Sequence, residues 1–104
     1  MGHKPSSLHV GHMSYDIDYN DEANCDELAA DGFTHEGTRR IGIRPTLHPD
    51  YEREVLLHDA LHACVDVTRL GLSYKAEERI VDHLTGPLLD LIRRNPELIR
   101  FLQQ

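Results

Sequence analysis

The sequence predicts a small α+β domain: a short antiparallel sheet packed on a metal-binding helix, followed by one or two further helices. Three observations point there. Before Asp50 apolar residues alternate with polar ones, after Asp50 they recur at helical spacing, and 104 residues are enough for one modest core only. Residues 1–7 are polar and aperiodic and read as a disordered lead-in or tag, which leaves 8–104 as the single domain. Met13, Tyr15, Ile17 and Tyr19 alternate with polar residues, a half-buried strand entered through a turn at Gly11. Asp31-Gly32 marks another turn, and Thr38–Ile43 places Ile41 and Ile43 two apart in a second strand closed by Pro45.

The long helix spans about residues 50–70. Asp50 caps it, and Glu52 and Glu54 lie near the positive end of its dipole. Leu56, Leu57, Ala60, Leu61, Ala63, Cys64 and Val67 gather on one broad face, with Tyr51, His58, His62, Asp66 and Arg69 on the other. Gly71 is suited to the left-handed cap at its end. The next helix starts near Lys75 with Ile80, Val81, Leu84, Leu88, Leu91 and Ile92 as its apolar stripe. Pro87, which clashes with the carbonyl of His83, is expected to break or kink it. Asn95-Pro96 opens a last short helical segment.

Composition narrows the function classes. The formal net charge is −7, and eight acids with no Lys or Arg lie between Asp16 and Glu36. A chain with its negative charge gathered in this way lacks the basic face that nucleic acid demands, so no nucleic-acid partner is expected. The acidic run reads as a solvated loop, since it lacks the alternating acids and central Gly of a calcium-binding EF-hand loop. Arg39, Arg40 and Arg44 read as exposed strand residues. No apolar run approaches the roughly 18 residues of a membrane span, and the N-terminus has no signal-peptide core. The expectation is a cytoplasmic protein, with Cys25 and Cys64 as free thiols and Cys64 buried on the apolar helix face.

Eight histidines are an unusual number for a chain of this size. Two of them carry a spacing argument. In His58-Asp59-Ala60-Leu61-His62 the imidazoles stand one helical turn apart on one face, close enough to share a tetrahedral zinc ion at about 2.0–2.1 Å. A third ligand has to come from another element, because Asp66 stands about 12 Å along the helix from His58. The next helix offers Glu77 and Glu78. Glu78 is favoured because Asp82, one turn on, then projects from the same side and can accept the free ring N–H of a ligating histidine. Asp59 occupies the place where zinc peptidases carry a glutamate base, and it is one methylene shorter. His35, His48 and His83 read as surface or supporting residues, and His9 and His12 carry no spacing signal. Because ligating imidazoles must be neutral, metal affinity is expected to fall on acidification through roughly pH 6.

Leu56-Leu57-His58-Asp59-Ala60-Leu61-His62-Ala63, followed by Glu77-Glu78-Arg79-Ile80-Val81-Asp82-His83-Leu84, resembles the gluzincin-type zinc peptidases. The pattern is closest to minimal metallopeptidase-like proteins of phages and prophages, with distant similarity to SprT-like and repressor-cleaving peptidases. Those families write Leu-Leu-His-Glu-x-x-His-Ala and then Glu-x-x-x-Asp/Asn. The resemblance spans roughly Met13 to Leu98 and is specific only at the two motifs. It implies a zincin-like minimal fold in which His58, His62 and Glu78 hold Zn2+ and Asp59 stands where the base acts. It further implies peptide hydrolysis through a metal-bound water, a protein or peptide substrate, the host cytoplasm if phage-encoded, and an Ile41-Gly42-Ile43 strand that lies beside the metal helix and can pair with an extended substrate. The Asp at position 59 departs from the family and removes its usual base.

Two other classes stay open at this point. One is a metal-stabilised phage protein, weak or inactive as an enzyme, that acts as a protein-binding module. The other is an HD-type metal phosphohydrolase, built from His58-Asp59 with His35 as the upstream histidine.

Overall fold

The computed structural model describes residues 3–104. Four strands and four helices follow in the order β1 (Ser7–Val10), β2 (Met13–Asp18), α1 (Glu22–Leu28), β3 (Gly32–His35), β4 (Arg40–Ile43), α2 (Pro49–Thr68), α3 (Tyr74–Arg94) and α4 (Pro96–Leu102). The class is α+β: a four-stranded sheet with helices packed against it.

The expected strands are present, but the sheet is mixed. Its order is β1-β2-β4-β3; β1 and β3 pair antiparallel with their neighbours, whereas β2 and β4 run parallel, with Ile17 opposite Ile41. The reason lies in the acidic run, which is no solvated loop. It contains α1 and β3, and these carry the chain across so that β4 re-enters in the direction of β2, as a parallel pair requires. Asp21 caps α1 by accepting from the Asn24 amide at 3.3 Å, and Ala29 closes it in the left-handed region. The arginines of β4 and its exit hold the acids. Arg40 meets Asp18 at 2.6 Å and Asp21 at 2.9 Å, while Arg44 meets Asp26 at 2.5 Å and Asp31 at 3.1 Å.

The lead-in is tied down as well. Ser7 belongs to β1, Ser6 accepts from the Ile17 amide at 3.0 Å, Pro5 accepts from the Tyr19 hydroxyl at 2.6 Å, and Lys4 pairs with Glu52 at 2.9 Å. Met1 and Gly2, which belong to the same expectation, lie outside the described residues.

The core forms where one sheet face meets α2. Met13, Tyr15, Ile41 and Ile43 pack with Val55 and Ala63, and Leu56 and Val67 close the margin. Each fully buried isoleucine contributes roughly 1.5–3 kcal/mol. The buried line on α2 is Val55, Asp59 and Ala63, one turn apart. Apolar residues lie all round this helix because it is covered twice, by the sheet on one side and α3 on another, so the histidines on its polar-looking face are partly buried too. Cys64 is exposed, and Cys25 is the buried thiol. His48 rather than Asp50 caps the helix, with Pro49 as its first residue, and Arg69 rather than Gly71 is its left-handed cap.

Pro87 does not break α3, which runs unbroken to Arg94. Gly86 has no Cβ to clash with the proline ring, so one half of the usual restriction before proline is missing. Only Val81 and Thr85 of this helix are buried. Ile80, Leu84, Leu91 and Ile92, expected in an apolar stripe, are substantially exposed. No helix among the described residues is long and apolar enough to cross a membrane.

Candidate metal centre

The middle of α2 faces the first turns of α3, and the two helices bring their polar residues together. His58 and His62 stand a turn apart with ring centroids 4.9 Å from each other and planes inclined by 72°. Glu78 reaches between them. Its Oε1 lies 3.0 Å from His58 Nε2 and its Oε2 3.1 Å from His62 Nε2. One donor atom from each of His58, His62 and Glu78 lies within 4.8 Å of the other two, so this group could hold a metal ion. Tetrahedral ligands at about 2.1 Å stand roughly 3.4 Å apart, which small side-chain rotations from this arrangement reach. Two imidazoles and a carboxylate, all partly buried, are a donor set that suits zinc and its neighbours in the first transition row.

The supporting carboxylates divide their work differently from the sequence expectation. Asp82, assigned to a spare ring N–H, meets His58 at Nε2 (2.8 Å), the same atom that Glu78 approaches. Glu77, the other candidate for third ligand, takes the outer role on the second histidine and contacts His62 Nδ1 at 2.6 Å. That contact fixes the His62 ring so that Nε2 points at Glu78. Helical spacing alone did not separate these roles, because Glu77, Glu78 and Asp82 all fall on the part of α3 that faces α2.

Asp59 is the deepest member of the group, with only 2% of its surface exposed. Oδ1 lies 3.6 Å from His58 Nδ1, and Oδ2 is buried with no hydrogen-bond partner. It fits there because residue 32 is glycine. A Cβ on Gly32 would overlap the Asp59 carboxylate and the Val55 side chain. Burial pushes the Asp59 carboxyl above the usual carboxylate range, against the opposing pull of His58 and His62. His58 is raised to about 9, first by Asp59 and then by Asp82 and Glu78, with burial acting the other way. Without metal, therefore, the imidazole is a cation at neutral pH. The expected loss of metal affinity near pH 6 is that of an ordinary imidazole, and for His58 it moves upward.

A cleft runs from these residues along β3, lined by Gly32, Thr34 and His35 on the strand and by Tyr74 at the start of α3. Thr34 Oγ1 donates to the Asp59 carbonyl at 2.8 Å and ties strand to helix. The strand beside the cleft is β3, at the end of the sheet. The Ile41-Gly42-Ile43 strand, expected to be available for pairing, is enclosed between β2 and β3. His35 is exposed and its Nδ1 is engaged by the amide and hydroxyl of Thr38, outside the group of three donors. Three of the other five histidines have contacts elsewhere: His48 caps α2, His83 contacts the Arg79 carbonyl and His9 contacts Ser14. Comparison with protein-family models, with curated proteins and with solved structures gives no match.

Proposed function

We propose that this chain is a zinc-dependent, metallopeptidase-like hydrolase whose metal is held by His58, His62 and Glu78. The convergence of those three donors from two helices carries the reading. A zinc ion there would act as a Lewis acid and lower the pKa of water toward neutrality. The chain supplies the rest. Glu77 orients His62, Asp82 stands at the edge as a further carboxylate, and the end strand β3 offers unpaired backbone groups on which an extended peptide can lie next to the donors. Asp59 is assigned as the base. A buried carboxylate with raised proton affinity is suited to take a proton, but its short reach makes the reaction slow. A misplacement of about 1 Å can cost roughly a hundredfold in rate.

One observation favours a second reading, a metal-stabilised protein-binding module: Asp59 is enclosed beneath Gly32 and almost wholly buried. Zinc-loaded full-length protein incubated with an unfolded, fluorescently labelled protein substrate separates the two. The enzyme reading expects slow cleavage that Asp59→Asn abolishes with zinc still bound one per chain. Asp59→Glu should raise the rate, at about 1–3 kcal/mol of overpacking against its neighbours. If neither wild type nor Asp59→Glu cleaves while both hold zinc, the peptidase reading is lost and the binding module takes its place.

A further inference from the structure

Thr85 is the last buried residue of α3, and nine residues follow it before the helix ends. At 1.5 Å per residue they carry the helix about 14 Å onward. There α4 follows after the single residue Asn95, itself without a buried residue. This C-terminal helical segment would ordinarily be polar. Instead Leu84 (45% exposed), Leu91 (44%), Ile92 (38%), Leu98 (39%), Phe101 (70%) and Leu102 (67%) stand open on it.

We propose that the end of α3 together with α4 is a self-association surface and that a second copy of this chain covers it, face to face about a twofold axis. Two observations select that occupant. The first is area. With side chains of roughly 200 Å² each, those exposures leave about 600 Å² of apolar surface, at the upper limit of what a typical monomer shows. With a polar rim added, it approaches the ~800 Å² per partner of a standard interface. The second is charge. From Gly86 to Gln104 there are three arginines (Arg93, Arg94, Arg100) against two acids (Asp90, Glu97), a balance of +1, so the rest of this −7 chain carries −8. Two copies repel wherever their acidic bodies meet, and this C-terminal segment is where they can approach without net repulsion. Its mixed charges also suit a twofold contact, in which each acid of one copy can lie near an arginine of the other. Glu78, the ligand on α3, lies near the opposite end of the helix, so the contact leaves the metal cleft open.

Sedimentation of the full chain from micromolar to near-millimolar concentration tests this. The expected result is reversible growth from the 11.9 kDa chain to a species of about 24 kDa and no further, tighter in high salt because screening relieves the repulsion between acidic bodies. Leu91→Asp and Phe101→Asp, one on each helix, should each weaken the dimer at least tenfold while circular dichroism and zinc content per chain stay unchanged. Phe101→Leu should retain it, as should Leu28→Asp, which alters an exposed leucine on α1. A wild type that stays at 11.9 kDa throughout overturns the proposal, and so does a dimer indifferent to both aspartates. A chain that is monomeric in solution but pellets with phosphatidylserine vesicles overturns it in favour of a lipid surface.

Discussion

Carboxylates converge in two regions of this molecule, and the cation each region supplies makes them behave differently. On the β2–α1–β3 side, Asp18, Asp21, Asp26 and Asp31 meet Arg40 and Arg44. On the α2–α3 side, Asp59, Glu77, Glu78 and Asp82 gather round His58 and His62. A guanidinium keeps its charge at any pH a protein meets, so the first cluster stays ion-paired, although Arg40 Nε is buried without a partner, and it serves to hold the sheet and α1 in register. An imidazolium can surrender its proton, and the same lone pair then accepts a metal. The difference between a clasp and a candidate metal site thus lies in the exchangeability of the cation rather than in the number of acids.

The largest break in this comparison comes from removing a ligand. His58→Ala and Glu78→Ala should each lower zinc affinity by two or more orders of magnitude. They should also abolish the rise in melting temperature that zinc gives the wild type, which at a thousandfold excess over Kd corresponds to about 4 kcal/mol. Calorimetric titration with zinc and a melting series check both. Equimolar zinc retained by purified His58→Ala would remove the site.

pH sharpens the contrast next. Because His58 is raised from 6.5 to about 9 in the fold, its ion pairs stabilise the metal-free protein fully below about pH 6.5, and that contribution is lost as pH rises through about 9. Zinc must displace the same proton, so its affinity should climb by up to tenfold per pH unit over the same interval. Opposed slopes in the two measurements are the expected signature; parallel slopes would dissociate His58 from the metal. The arginine cluster should show neither trend. Asp21, held below the usual carboxylate range by Asn24 first and then by Arg40, loses its contribution only as pH falls below about 4.

The smallest effect is in the clasp itself. Arg40→Met should cost about 1 kcal/mol in denaturant unfolding, since Asp21 is buried but the arginine remains 41% exposed, and zinc affinity should not change.

What could be read from the sequence was decided by periodicity and by local spacing. The β2 and β4 alternations and the turn-apart histidines are properties of single elements, and each appears where its own residues put it. Residues 16–36 were misread because eight acids look like solvent-facing charge. The two arginines that pair with four of them stand up to 22 positions away, a pairing made by the sheet. For the same reason the sequence reads as a loop where the structure forms α1. The burial of Asp59 was equally hidden, for it depends on the missing Cβ of Gly32 on another element. The exposed α3 residues looked like core because a helical stripe reports only that a face is apolar. Whether a partner element is long enough to cover it is a matter of tertiary structure.

The contact between Gly32 and Asp59 also constrains how this chain can change. The bare backbone at one position is the room occupied by the carboxylate at the other, so their side chains are linked in size. An alanine at 32 meets both the Asp59 carboxylate and the Val55 side chain, so it becomes acceptable only when both are trimmed. The three positions are therefore epistatic. A lineage that gained any side chain at 32 first would have displaced the buried acid beside His58, so the strand sets what the helix can carry.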